Sequence, residues 1–544
     1  TGAPSVGNRP ALSCGQLVRS VMTASRVQLL LAGVAAVLVS LGPWGCEAAV
    51  HPYNNEYFYA VGDSFIFRGG REGLFKSKSD AVDEWGTVAK GVANGKSYIR
   101  FSKVVLERPK SVAAQHGPRD GDTGLVQAVV FEVNDRDRIG YAPSDGYQRN
   151  YCCTKELVEK TRCTPGQVIV APHAARENWP WQTNIFFTDN DTLAFAVEEA
   201  VTIEETGMYY LWFVICDPNL AGVTISGQTS WKNPSGYLPG MMSPNLPFFG
   251  IMTLAYLALG AVWFVAYCRF WREILPLQNF ITLVMALGMI EMSTWYFDYV
   301  NFNATGFRPY LNTMCAVLLG SVRKTLSRML ILVVSMGFGV VRPTLGGITR
   351  KVLALGMGYF VGSAALDVLT NVGTIDDLTS EARVFLVLPV AVLDAVFILW
   401  IFTSLSKTLS QLQARRQTAK LEVYRRFTNT LAVAVVLSVA WIGYEMYFKV
   451  SDQFNERWQS DWITNAFWHV LTLAINGVIC FLWAPTGSSV RYAYSEDHPE
   501  EGGAADEEEG VQLVPKGGAK AEEGDVDTNV FSIDDDGDEV GKLE

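Results

Sequence analysis

Seven long apolar runs fill the chain from residue 247 onward, at 247–268, 274–297, 310–341, 351–371, 384–405, 427–449 and 462–484. Each reaches the roughly 20 residues that a helix needs to cross a bilayer. Upstream the pattern shortens. Between residues 50 and 240, runs rich in aromatic and β-branched residues (Glu56–Phe67, Ser97–Leu106, Leu125–Val133, Met208–Ile215) are separated by Gly, Pro, Asn and Asp clusters. That alternation predicts strands of a single β-sandwich or barrel. At the start, Arg9, Arg19 and Arg26 precede the apolar stretch Val27–Leu41, and Cys46, Glu47 and Ala48 end it with small residues. This is the pattern of a secretory signal cut near Ala48 or Ala49, with a signal anchor as the other reading. The expected organisation is therefore a signal segment over 1–48, an all-β lumenal domain over 49–240, a seven-helix transmembrane bundle over 241–485 and a tail over 486–544.

Charge sharpens this division. The net charge of -11 is concentrated at the C-terminus, where residues 496–544 hold 18 acidic and three basic side chains and leave the rest at net +4. A Gly-rich acidic tail that cannot bury a core is expected to be disordered and cytoplasmic. Within it, Glu509–Val514 resembles an acidic dileucine sorting signal with Leu513 and Val514 in the dileucine place, so sorting adaptors are candidate partners. Ser532 precedes an acidic run that favours phosphorylation. With no strongly basic domain, nucleic-acid binding has no support.

Export implies an oxidising compartment, and Cys152, Cys153, Cys163 and Cys216 all fall in the exported part. Adjacent Cys152 and Cys153 do not readily pair with each other. Two arrangements remain: Cys152 with Cys163 and Cys153 with Cys216, or the swapped set. Asn190 and Asn303 fit the N-glycosylation pattern and are candidate acceptors. Loops that would face the cytoplasm carry Arg269, Arg272, Arg342, Arg350, Lys351, Lys407, Arg415, Arg416, Lys420, Arg425 and Arg426, whereas the opposite loops offer Arg308, Arg383, Lys449 and Arg457. The positive-inside rule thus agrees with an exported N-terminal domain.

The apolar runs are broken by Glu291, Arg323, Lys324, Arg328, Asp367, Asp394 and Glu445. An ionisable side chain in a bilayer costs at least about 2.5–3.5 kcal/mol, so these positions are expected to face a bundle interior or a hydrated cavity. At about 1.5 Å per residue, Glu291, Asp367 and Glu445 fall in the outer half and Asp394 near mid-membrane. Lys324 and Arg328 are four apart and share a face, while Arg323 points about 100° away. The reading is a polar cavity open to the lumen, lined by the third-span cations with Glu291 and Asp394. The competing reading is a set of buried salt bridges that fix helix register. His469 reads as a packing residue.

Several chemistries are absent. One intramembrane histidine cannot build a membrane zinc site, and no Gly-x-Ser-x-Gly elbow, phosphate-binding loop or dinucleotide fingerprint occurs in a supporting context. No metal, no cofactor and no enzymatic activity are expected; a bound phospholipid is the one small molecule the pattern suggests.

Specific runs carry a family resemblance: Gly236-Tyr237-Leu238-Pro239-Gly240, Leu246-Pro247-Phe248-Phe249-Gly250-Ile251-Met252, Gly288-Met289-Ile290-Glu291, Ser321-Val322-Arg323-Lys324-Thr325-Leu326-Ser327-Arg328, Val340-Val341-Arg342-Pro343-Thr344-Leu345-Gly346, Leu393-Asp394 and Tyr424-Arg425-Arg426-Phe427-Thr428-Asn429-Thr430-Leu431. In order and content they resemble the Golgi-dynamics-domain seven-transmembrane proteins, also called lung seven-transmembrane receptors, and within them the transmembrane protein 87 branch. The resemblance implies a lumenal Golgi-dynamics β-sandwich on a bundle similar to that of the lipidated-cargo carrier Wntless, in Golgi and endosomal membranes. It further implies a trafficking factor or a chaperone of lumenal or lipid-linked cargo, with a cation channel through the same cavity as the alternative. Relatives in this branch can carry a cysteine in the loop matching 450–462, and this chain has none there. A G-protein-coupled receptor is disfavoured, because Gly339-Val340-Val341-Arg342-Pro343 stands where its Asp-Arg-Tyr would be.

Overall fold

The computed structural model describes residues 49–78, 95–110, 124–142, 149–161, 163–176, 178–188, 191–339, 341, 346–372, 380–452 and 454–485. The expected signal segment, Asn190 and the acidic tail lie outside them.

Among the described residues, ten strands make two antiparallel sheets. In chain order they are β1 (Val50–Tyr57), β2 (Tyr59–Val61), β3 (Ser64–Leu74), β4 (Tyr98–Glu107), β5 (Leu125–Glu132), β6 (Trp181–Phe186), β7 (Leu193–Phe195), β8 (Ala200–Thr202), β9 (Gly207–Ile215) and β10 (Thr224–Lys232). One sheet runs β1-β10-β4-β7 with β8 also on β4, and the other runs β2-β3-β9-β5-β6. The sheets stay open, so the domain is a sandwich and not a barrel. Inward residues such as Ile99, Phe101, Leu211, Phe213 and Trp231 interdigitate between them. The run expected over Glu56–Phe67 is not one strand: a two-residue turn at Gly62–Asp63 pairs Val61 with Ser64 and folds β2 back on β3.

Strand β5 is buried on both faces. Its second face is covered by Ile139 and Val168, from the long excursion between β5 and β6. Two disulfides pin that excursion, Cys152–Cys216 and Cys153–Cys163, which settles the open choice for the swapped set. The bridges close loops of 64 and 10 residues. Loop entropy then predicts that removing Cys152–Cys216 costs about 4 kcal/mol and removing Cys153–Cys163 about 3 kcal/mol. Paired Cys→Ser variants compared by thermal melting should show that order.

Seven long helices follow: α1 (Asn245–Arg269), α2 (Pro276–Thr305), α3 (Tyr310–Ser335), α4 (Ile348–Val372), α5 (Ser380–Ala414), α6 (Thr418–Ser451) and α7 (Trp462–Leu482). Six are long and apolar enough to cross a membrane, and α3 is the remaining one because Arg323, Lys324 and Arg328 interrupt its middle. The second span extends to Thr305 where it was expected to stop at 297, because Asn301 and Asn303 continue the helix beyond its apolar run. The third stops at Ser335, short of 341, where Gly337 and Gly339 take positive φ. Helices α5 and α6 outrun their apolar cores with polar turns around Ala414 and Thr418.

The sandwich is joined to one end of this bundle by specific contacts. The Val50 amide donates to the Gly306 carbonyl (3.3 Å), and the Tyr237 amide donates to the Asn303 carbonyl (3.0 Å). Asn303 also donates its amide to Ser235 O (3.0 Å) and accepts from the Leu238 amide (3.1 Å). The side chain expected to take a glycan is thus committed at both ends to the joint, because the helix carries it past the loop in which it was placed. The α6–α7 loop sends Trp458 into the sandwich, where it is 4% exposed beside Val133 and Met208. A Cβ added at Gly73 or Gly240 would lie 2.6 or 2.7 Å from that indole, so the close approach needs glycine at both.

Candidate functional site

The charges broken into the apolar runs are organised by α3. Each of its three cations meets a carboxylate on a different helix. Arg323 is bonded through Nε and Nη2 to Glu291 of α2, with both side chains buried. Lys324 Nζ donates to both oxygens of Asp367 on α4 (2.9 and 3.0 Å), which also accepts from Ser321 Oγ (2.8 Å). Arg328 Nε donates to Asp394 Oδ1 on α5 (2.5 Å), and its guanidinium lies 4.5 Å from the Tyr359 ring centroid. The spacing that put Arg323 about 100° from its neighbours explains the fan: one helix addresses three others.

The three pairs differ in exposure, and the difference decides their chemistry. Arg323 and Glu291 have side-chain exposures of 3% and 2%. They form a sealed pair, and Glu291 does not line a cavity as expected. The tight packing of α1 on α2 explains this: Gly288, one turn before Glu291, has the Tyr256 ring against it, and Gly320 of α3 lies on the Glu291 carboxylate. Lys324 and Asp367 are 39% and 19% exposed, and Arg328 and Asp394 are 33% each. These two pairs reach open space partway along membrane-spanning helices. Contact with hydrocarbon there costs at least about 2.5–3.5 kcal/mol per charge, which makes these two pairs the candidates for a hydrated or polar-lined space.

Glu445 is not part of this set. It lies near the end of α6 and accepts from Lys449 one turn on (2.6 Å), a local helix pair of the kind that spacing alone provides. His469 packs edge-on against Phe249 at 5.5 Å, as expected of a packing residue. One buried ion pair was not anticipated. Asp298 accepts from Arg308 Nε (2.9 Å) and Thr313 Oγ1 (3.2 Å), with the Arg308 guanidinium 5.4 Å from both the Trp295 and Tyr299 ring centroids. Asp298 is seven residues after Glu291, hence on the same face of α2, and that periodicity was the available signal.

The bundle is tightly packed at the end remote from the sandwich, where Leu412, Tyr424, Phe427 and Trp483 are all buried and the Tyr424 hydroxyl donates to Val334 O of α3 (3.2 Å). Helix α6 packs on α5 and α7, with no extended contact with α3 among the described residues.

A family model described as GOST, seven transmembrane domain, matches residues 244–490. The bundle is thus similar to the seven-transmembrane domain of the GOST family. Among similar proteins, Transmembrane protein 87A of Xenopus tropicalis is 33% identical over 285 residues, covering 51% of this chain and 52% of that protein. Transmembrane protein 87B of Mus musculus is 34% identical over 279 residues, covering 50% of each. Membrane protein PTM1 of Saccharomyces cerevisiae is 24% identical over 409 residues, covering 70% of this chain and 74% of that protein. The matched region spans about half the length of the Transmembrane protein 87 relatives. The GOST domain therefore takes in the whole of α3 and all its partners.

Proposed function

We propose that this protein is a trafficking component of Golgi and endosomal membranes that carries a lipid or the acyl chain of a lipid-linked cargo. Its lumenal sandwich meets the cargo, and in this reading the accessible ion pairs of α3 line a polar groove that grips the headgroup. One observation carries the reading: Lys324, Arg328 and Asp394 are each about one-third exposed partway along spanning helices. Paired charges facing a groove suit a zwitterionic or phosphate headgroup, because cation and carboxylate each have a partner to exchange for it. The match to the GOST seven-transmembrane domain supports the membrane setting, and the positive-inside loop charges support the lumenal placement of the sandwich.

A cation conductance through the same groove is the weaker reading. Its candidate acidic groups, Glu291 and Asp394, are already neutralised by Arg323 and Arg328, and a third cation, Lys324, lies within the same helix, paired with Asp367. The remote end is also closed by packed aromatic side chains. Purified protein recorded in planar bilayers, with lipids extracted from the same preparation, separates the two. The carrier reading predicts silent bilayers and one enriched lipid species. Currents that change with Asp394→Asn would overturn it in favour of a channel.

A further inference from the structure

A second cationic site lies outside the bundle, on the rim of the sandwich that faces it. In a regular strand Arg68 and Arg71, three residues apart, would point to opposite faces. A bulge between Arg68 and Gly70 resets the alternation, so that Arg68 stands opposite Trp212 and Arg71 opposite Tyr210. The bulge depends on glycine: a Cβ at Gly69 would lie 2.8 Å from the Phe213 ring, and Gly70 has φ +150. Both arginines thus share the outer face of β3 with the aromatic row Tyr210 and Trp212, and Phe131 of β5 stacks on Tyr210 at 5.6 Å.

Arg136 joins them from the 3-10 turn that follows β5. Its guanidinium lies 3.6 Å from the Phe454 ring centroid in the α6–α7 loop, and the Tyr210 hydroxyl donates to Phe454 O (3.1 Å). Burial pushes the Tyr210 phenol above its ordinary value while Arg71, Arg136 and Arg68 pull it the other way, so the three charges act on one place. Among the described residues, one carboxylate acts on Tyr210 and one lies beside Arg136. Asp452 faces the same ring, but its oxygens cap the loop by accepting from the Glu456 and Arg457 amides (2.7 and 2.8 Å). Asp137 is 3.9 Å from Arg136 Nε and is held at 2.8 Å by Arg149. No carboxylate among the described residues is at hydrogen-bond distance from Arg136, and its enclosed Nη1 has no hydrogen-bond partner among them.

Phe454 is three residues past the end of α6, so this basic rim stands at the membrane surface. On the last turns of α6, just before this loop, Met446, Tyr447 and Val450 are each more than 60% exposed. We propose that Arg68, Arg71 and Arg136 bind the phosphate of an anionic phospholipid from the leaflet on the sandwich side, with the acyl chains lying along the exposed end of α6. Guanidinium forks suit a phosphate diester, and the exposed apolar side chains on the last turns of α6 suit its tails. This site shares no residue with the groove beside α3 and stands without the carrier reading.

The test is native mass spectrometry of the full chain in detergent, titrated with phosphatidylglycerol or phosphatidylcholine. Wild type is expected to prefer phosphatidylglycerol. Arg68→Gln with Arg71→Gln is expected to weaken that lipid roughly thirty-fold, about five-fold per cation, with phosphatidylcholine binding unchanged. The Arg68→Lys, Arg71→Lys protein should retain most of the preference, which shows that charge and not folding is read. Arg136→Gln supplies an independent arm, expected to weaken phosphatidylglycerol about five-fold. Equal binding of the two lipids by wild type, or an unchanged preference in the glutamine variants, would overturn the proposal. Displacement of the bound lipid by low millimolar glycerol 3-phosphate would do so too, by assigning the site to a free phosphate.

Discussion

Replacing Arg323 with methionine is expected to destabilise the bundle by about 3–5 kcal/mol, because it strands the Glu291 carboxylate in a sealed interior. Neither side chain can turn to solvent, since both are almost fully enclosed and Gly320 and Gly288 hold α3, α2 and the Tyr256 ring against them. The double variant Glu291→Met with Arg323→Met removes both charges and should recover most of the loss, as apolar residues of similar volume often replace a buried pair without penalty. Lys324→Met offers the contrast. It breaks a pair whose cation is 39% exposed, so its stability cost should be about 1 kcal/mol or less. Thermal melting of the purified variants in detergent measures all three. A similar drop for Arg323→Met and Lys324→Met would sink the division between a structural pair and two accessible ones.

Trp458→Ala is expected to release the sandwich from the α6–α7 loop at a cost of about 3–5 kcal/mol, the range for truncating a buried large aromatic. The indole is held by Gly73 and Gly240 on one side and by the Phe75 ring at 5.4 Å on another. Its loss should raise amide hydrogen exchange in β3 near Gly73 and at the Gly240 amide, which donates to Gly73 O (2.8 Å), while leaving the far sheet around β4 protected. Gly73→Ala should give a similar local pattern from the opposite cause, a methyl group driven into the ring. Unchanged exchange at both glycines in Trp458→Ala would show that the joint is carried elsewhere, for instance by Asn303. This aromatic plug joins the α6–α7 loop to the sandwich by packing alone.

The sequence made the architecture legible because its two periods are so different. Seven long apolar runs and a set of short alternating ones fix a sandwich followed by a bundle; the helices outrun their expected ends where polar turns extend them, as at Thr305, Ala414 and Thr418, and α3 stops short at Ser335 before Gly337 and Gly339. The charged positions within the runs were also legible one at a time, and six of the seven meet on α3. Their partnerships were not, because they depend on which helices neighbour α3. Glu291 and Asp394 both suit a cavity by charge, yet packing seals the first and leaves the second a third exposed. Glu445 shows the opposite error: depth along the helix suggested membership, whereas Lys449, four residues on, claims it. The Arg68–Arg71 face was out of reach for a different reason. It depends on a bulge at Gly69–Gly70 that inverts the strand's alternation, and a two-residue period read from sequence assigns those arginines to opposite sides.

The most direct measurement is lipid content per chain, determined by mass spectrometry on protein purified under mild conditions, for wild type and for Arg328→Gln with Asp394→Asn. The carrier account predicts close to one enriched phospholipid per chain in wild type. It predicts loss of that lipid in the double variant, with a melting temperature within a few degrees of wild type because the pair is half-exposed. Equal lipid content in both proteins, or a variant that fails to fold while wild type carries no defined lipid, would contradict it and leave the α3 pairs as structural salt bridges.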